Sequence, residues 1–233
     1  MLMNLIKVSK IYRIGHVEVL ALNEVSVGID RGEFVAIVGP SGSGKTTLLD
    51  ILGCLSRPTS GDYWFDGKLV SRLPDDELTY IRNRKIGFVF QTFQLLPRKT
   101  VLENVQLPML YAGVPWKAQR HRALQLLRDV GLEDRAHHLP TQLSGGQQQR
   151  VAIARALANT PDVILADEPT GNLDSRSGQD ILGLFQRLHE SGQTLVMITH
   201  DQQIAEQAQR RVMIADGRIV ADDRASQQAP VPV

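Results

Sequence analysis

The chain has 233 residues, 22% charged and 42% hydrophobic, enough for one large domain or for a core with a subdomain. Lys and Arg number 26 against 25 acidic residues, a balance that gives no electrostatic drive towards nucleic acid. Cys54 is the only cysteine, which excludes an intrachain disulfide and fits a reducing compartment. No apolar run reaches the ~20 residues that span a bilayer, and no charged stretch followed by an apolar core marks a secretory signal.

Alternating apolar residues predict antiparallel strands over residues 4–12 and 21–29, with a turn at Gly15. The apolar run 34–38 predicts a buried strand, and residues 48–52 continue at helical spacing, with Cys54 inside that helix as a small buried hydrophobe. Residues 63–65 and 68–70, split by Asp66-Gly67, predict a hairpin. Residues 74–84 open with Pro and acids and end in basic side chains, as a helix complementing its dipole does. A short strand follows at 86–90. From 92 to 159 the strand pattern stops, and helices are expected over 101–111, 116–130 and 144–158. After Pro161 the alternation resumes with strands at 163–167 and 194–199, helices at 175–191 and 201–209, and a closing hairpin at 211–215 and 218–221 about Asp216-Gly217. Residues 222–233 are polar and Pro-containing and are expected to fray.

Three stretches carry chemistry. Gly39-Pro40-Ser41-Gly42-Ser43-Gly44-Lys45-Thr46-Thr47 lies between a buried strand and a helix, the setting of a phosphate-binding P-loop. Its glycines let backbone N–H groups turn inward, the helix start adds positive potential, Lys45 reaches the β- and γ-phosphates, and Thr46 binds Mg²⁺. The apolar strand 163–167 ends in Asp167 and Glu168, at the sheet edge where α/β proteins bind ligands. There Asp167 is placed to hold Mg²⁺, and Glu168 to take a proton from an attacking water. Leu143-Ser144-Gly145-Gly146-Gln147-Gln148-Gln149-Arg150 is a helix start with Ser144 as N-cap, a second place where exposed N–H groups can meet an anion. His137-His138 has no Cys, His or acidic partner at ligand spacing and reads as a solvated pair.

The 143–150 stretch resembles the signature motif of ATP-binding cassette (ABC) ATPases, and the order of the other motifs is similar to that family over almost the whole chain. The resemblance implies an α/β P-loop NTPase, with a RecA-like core and antiparallel β subdomain over residues 1–91 and 160–222, a helical subdomain over 92–159, and a tail over 223–233. It implies that Tyr12 stacks on adenine and that Gln91 senses Mg²⁺ and water while linking core to helical subdomain. Asp167 and Glu168 match the Walker B pair, Gly171-Asn172-Leu173-Asp174 the D-loop, and His200 the switch histidine at the γ-phosphate. ATP and Mg²⁺ are the implied ligands. In the family ATP lies between two cassettes, so Ser144, Gly145, Gly146 and Gln147 of a second copy would complete the site of a homodimer.

Residues 75–107 resemble one branch of the family, that of macrolide exporters, lipoprotein-releasing complexes and the cell-division pair regulating wall hydrolases. Lys99 stands where that branch commonly has an apolar residue. The branch implies a peripheral subunit at the cytoplasmic face of the inner membrane, driving a separate integral permease, with or without a periplasmic adaptor. Phe93, Leu95, Leu96 and Pro97 are expected either to receive that permease or to pack beneath the helical subdomain. Competing expectations are a soluble ATPase of the same family acting on DNA or ribosomes, and a regulatory ATPase of the cell-division type. A long coiled-coil insertion or a second cassette would mark the first, and the sequence has neither.

Overall fold

The computed structural model describes residues 1–15 and 17–223. They form two compact units, one of residues 1–72 with those from 196 onward, the other of Leu73–Leu195.

In the first unit, β1 (Met3–Ile14) and β2 (Val17–Ile29) pair antiparallel from Met3↔Ile29 to Ile14↔Val17. On its other edge β1 pairs with β4 (Ser60–Phe65), which turns through Asp66-Gly67 into β5 (Lys68–Leu69), completing a sheet of order β2-β1-β4-β5. Both turn residues have positive φ, 48° and 76°, the backbone twist a two-residue hairpin needs. The expected strand at 68–70 is shorter, because Val70–Arg72 tighten into a 3₁₀ turn that buries Val70. The unit also holds β3 (Phe34–Val38), whose first four residues are fully buried, and the hairpin of β9 (Arg210–Ala215) and β10 (Arg218–Asp222). β8 (Thr194–Ile198), buried throughout, crosses the division between the units, and the order on this side is β10-β9-β3-β8. β3 and β9 pair in parallel from Val35↔Arg210 to Val38↔Met213; β3 is buried on both faces, as in a crossover sheet, while β9 alternates buried and exposed residues. α1 (Lys45–Leu52) buries Leu48, Leu49, Ile51 and Leu52.

Three further expectations in this unit change. Cys54 lies beyond α1, past the cap at Gly53, as a buried residue with φ of 54°. The helix expected at 201–209 is only α7 (Gln202–Ala205), followed by tight turns to Ile204 and Ala205 carbonyls. Residue 222, expected in the tail, ends β10, where its carboxylate meets Arg210 (4% exposed) at 2.6 and 2.7 Å. Glu33 reaches the same guanidinium at 3.0 Å. The rest of the expected tail, apart from Asp223, lies outside the described residues.

In the second unit, β6 (Ile86–Phe90) and β7 (Val163–Asp167) pair in parallel from Ile86↔Val163 to Phe90↔Asp167. Around them stand α2 (Asp75–Lys85), α3 (Val101–Tyr111), α4 (Trp116–Asp129), α5 (Gly145–Ala156) and α6 (Ser175–Glu190). α2 has three acids in its first turn and three bases in its last, which offsets a nearly featureless hydrophobic pattern. α3 starts at a Thr100–Glu103 capping box. α5 buries Gln149 and the run Val151–Ala154, more than one stripe, as a central helix does. Among the described residues no helix is long and apolar enough to cross a membrane.

Candidate nucleotide site

In the first unit the loop between β3 and α1 is built to receive an anion. Gly44, the residue before α1, has φ of 103°, and a Cβ there would stand 2.5 Å from the Ala21 carbonyl oxygen, so only glycine fits. No side chain caps α1, which leaves its first N–H groups and the positive end of its dipole facing the loop. The Lys45 ammonium, in a residue only 8% exposed, folds back and donates to the Gly39 and Pro40 carbonyls at 2.8 Å each. The Ser43 hydroxyl is buried without a partner among the described residues. A phosphate fits this set, since it would accept from the uncapped N–H groups, the hydroxyl and the lysine. Ser41, Gly42 and Thr46 are exposed around the cradle, and Thr47 is half-buried.

His200 follows β8 by two residues and lines, with Val38, Gly39 and Pro40, a cavity of about 550 Å³. Sequence distance hid this approach of residues 39 and 200, but the strand-end position of each did not. Tyr12 is half-buried on β1 opposite Val19, and the Lys10 ammonium stands 5.1 Å from the centre of its ring. Val17, Val19 and Leu20 on the neighbouring strand are exposed, so an apolar surface adjoins this ring.

In the second unit the register Phe90↔Asp167 makes Gln91 and Glu168 the residues that leave two adjacent strands at the same level. Asp167 and Glu168 are half-buried, and Glu168 is left-handed, with φ of 44°. Its carbonyl accepts the Gly171 N–H at 3.0 Å. Gln91 and Asn172 bind each other: the Gln91 Nε2 donates to Asn172 Oδ1 at 3.4 Å, and the Asn172 Nδ2 donates to the Gln91 carbonyl at 3.1 Å. Asp174, two residues on, caps α6 by accepting the Ser177 N–H at 3.0 Å. The Ser177 backbone and side-chain hydrogen bonds hold its carboxyl below the usual range.

At the start of α5, Ser144 is the N-cap, as the sequence reading has it. The Gln147 N–H donates to its hydroxyl at 3.3 Å, and the Gln147 side-chain Oε1 accepts the Ser144 N–H at 3.0 Å. Gln147 therefore serves its own helix, while Gly145 is half-buried and Gly146 buried, where a Cβ would stand 2.9 Å from the Ser177 hydroxyl. Behind them, two polar residues that the sequence reading passed over point into the unit. Gln149 donates to Phe90 and Pro169 carbonyls, and Arg155 to those of Phe93 and Gln94. A polar residue within an otherwise apolar helix face is the sequence signal they offered.

Of the residues expected at a docking surface, Phe93 and Leu95 are half-buried, and Leu96 and Pro97 are exposed. Beside them, Arg82, Asn83, Phe88, Leu107, Tyr111 and Arg155 line a cavity of about 320 Å³. Tyr80, Leu110 and Tyr111 are exposed large apolar side chains of the same unit.

Residues 22–171 match the family model described as ABC transporter. An uncharacterized ABC transporter ATP-binding protein of Thermotoga maritima is 60% identical over 222 residues, covering 95% of each chain. A macrolide export ATP-binding/permease protein MacB of Bartonella henselae is 54% identical over 90% of this chain, which spans only 32% of that protein. Among solved structures, the ATP-binding cassette MJ0796, in a dimeric post-hydrolysis state bound to ADP and Pi, superposes with a TM-score of 0.87 at 48% identity, over 95% of this chain and 97% of that one.

Proposed function

Because this chain belongs to the ABC transporter family, as one of its ATP-hydrolysing cassettes, we propose that it closes on ATP as a homodimer and drives an integral membrane permease. The permease is of the macrolide-export, lipoprotein-release or mechanotransmitting type, which places this subunit at the cytoplasmic face of the membrane. The uncapped α1 behind Gly44, with the buried Lys45 at its first turn, is the observation that carries the nucleotide half of this reading. The Thermotoga relative, of matching length, and the MacB relative support the permease half. Tyr111, exposed and lining the cavity beside Arg82 and Arg155, supports it too, since exposed apolar surface at a concavity marks an interaction site.

Within this reading the phosphates displace the Gly39 and Pro40 carbonyls from the Lys45 ammonium and accept from the N–H groups of residues 41–47. Hydroxyl, amide and carboxylate oxygens of Thr46, Gln91 and Asp167 are hard donors suited to Mg²⁺, an ion that keeps few protein ligands and shares the phosphate oxygens. When bound, Mg²⁺ neutralises charge on the β- and γ-phosphates. Glu168 accepts the proton of the attacking water, the ring of His200 bonds the γ-phosphate, and Tyr12 stacks on adenine. From the second copy, Ser144, Gly145 and Gly146 offer the start of α5 to the γ-phosphate, with Gln147 holding the cap. Both sites then depend on ATP for closure, and hydrolysis removes that dependence.

The test uses Glu168→Gln. It is expected to bind ATP, to lose hydrolysis by more than about 100-fold, and to elute as a dimer with ATP. A monomer with ATP bound overturns the shared-site reading. From detergent-solubilised membranes the trapped form is expected to co-purify with a permease identifiable by mass spectrometry, and a soluble protein or nucleic acid in its place overturns the membrane half.

A further inference from the structure

Gln149 is the fifth residue of α5, five on from the Ser144 cap, and its side chain is fully buried, with 0% exposure. Its Nε2 carries two hydrogens, and each has a main-chain acceptor: the Pro169 carbonyl at 2.6 Å and the Phe90 carbonyl at 3.3 Å. These partners fix the orientation of the amide, because an oxygen in the same place would face two acceptors. Neither carbonyl is an arbitrary one. Phe90 is the residue before Gln91, and Pro169 the residue after Glu168. Since Phe90 and Asp167 are paired across β6 and β7, one amide group spans the two loops where they leave the sheet.

These loops need holding. Glu168 has φ of 44°, a conformation that a non-glycine residue keeps only where neighbours enforce it. The Gly171 N–H fixes the Glu168 carbonyl, and Asn172 fixes Gln91. Gln149 is a tie from outside the two loops that reaches both of them, and it comes from the helix whose start is the Ser144 cap. The distance from that start to Gln149 is about 7.5 Å of rigid helix, at a rise of ~1.5 Å per residue. A shift of α5 is therefore passed to the main chain beside both Gln91 and Glu168 through one short, buried, doubly donating amide.

We propose that Gln149 is a positioning residue for ATP hydrolysis: it sets the main chain on either side of the Gln91 and Glu168 loops from the position of α5. When a second copy's nucleotide engages the start of that helix, the engagement is read at this chain's own catalytic loop. The inference rests on the roles given above to Glu168 and Gln91.

The test compares wild type, Gln149→Met, Gln149→Glu and Glu168→Gln in the full chain, measuring thermal midpoint, KM for ATP, and kcat per folded molecule. Gln149→Met keeps the length of the side chain and removes both donors. It is expected to lower kcat at least about tenfold and to leave KM within about twofold, because a lost positioning bond acts on the transition state more than on ground-state binding. Gln149→Glu supplies a readout that a packing role would not move. Burial and the two facing carbonyls disfavour its ionised form, so its pKa rises well above that of an exposed glutamate. The neutral acid can donate to one carbonyl, and the carboxylate repels both. Its kcat relative to wild type is therefore expected to rise about tenfold between pH 9 and pH 6.5. Wild-type kcat in Gln149→Met with only a lowered thermal midpoint overturns the proposal, as does a kcat ratio for Gln149→Glu that is flat with pH. If Gln149→Met fails to fold, the pH profile of Gln149→Glu decides. Should Glu168→Gln hydrolyse ATP normally, the reading of the site fails. An inactive Glu168→Gln beside a fully active Gln149→Met refutes this inference alone.

Discussion

Replacement of Arg155 by alanine is expected to loosen residues 92–97 without unfolding the second unit. Arg155 stands in the last turn of α5, and its guanidinium donates to the Gln94 carbonyl at 2.5 Å and to the Phe93 carbonyl at 2.9 Å. Burial pushes its pKa down from the usual value, but an arginine keeps its charge in a protein, so both bonds are charge-assisted. Bonds of this kind contribute about 1.5–3 kcal/mol each, and the one to Gln94 is discounted because that bond is exposed. The sum is a loss of about 2–4 kcal/mol on truncation. Phe93 and Gln94 are both left-handed, with φ of 59° and 48°, and each costs about 1–2 kcal/mol without support. The strain and the lost bonds act in the same few residues, so the turn opens locally. Hydrogen exchange is the direct assay. The Phe93 and Gln94 amides, which donate to Phe90 and Thr92 carbonyls, are expected to exchange at least about tenfold faster, since ~1.4 kcal/mol is a factor of ten. Arg155→Lys, with a point charge in place of a planar fork, is expected to fall between the two. Unchanged exchange at both amides in Arg155→Ala would refute the reasoning.

The first unit supports two further expectations. Arg210→Ala removes a buried cation from Glu33 and Asp222, whose hydrogen bonds, that of Asp222 foremost, raise the guanidinium's pKa. Uncompensated buried charge costs about 3–5 kcal/mol, and partial exposure of Asp222 favours the lower end; a loss under about 1 kcal/mol in urea unfolding would contradict it. For Asp50, burial raises the carboxyl's pKa above 3.8, with Lys10 offsetting part of the shift. The folded state then binds the proton more tightly than the unfolded chain, so the cost of ionisation is absent below the unfolded value and is reached in full above the folded one. Asp50→Asn is expected to raise the thermal midpoint at pH 7 and to lose that gain by about pH 3. An equal gain at both pH values would show that charge is not the cause.

Sequence pattern made the strand–glycine–helix unit at Lys45 legible because each part has its own local signal: an apolar run, a glycine with φ of 103°, and helical spacing after it. The turns at Asp66-Gly67 and Asp216-Gly217 were legible for the same reason, both residues of each having positive φ. Local signals misled where a distant partner competes. Residues 201–209 are good helix formers, yet the helix stops at Ala205, and the chain then enters β9 with Arg210 already buried against Glu33 and Asp222. The same pair of acids explains why β10 runs through Asp222, where polarity alone pointed to a frayed tail.

Amide side chains show the limit most clearly. Gln147, Gln148 and Gln149 are three identical letters in a row, and a helix turns each by about 100° from the last. Gln147 folds back to close the cap, Gln148 donates to the Leu143 carbonyl at 3.1 Å, and Gln149 turns inward to Phe90 and Pro169. Gln91 meets Asn172 from 81 residues away. The capping-box spacing assigns Gln147, but no spacing rule assigns the partners of Gln149 or Gln91, because an amide can donate and accept with almost any main-chain group it is brought against. What selects the partner is the pairing of Phe90 with Asp167, a long-range register. The phosphate cradle follows from neighbours along the chain, whereas the ties between α5 and the catalytic loops exist only once the parallel strands are in place.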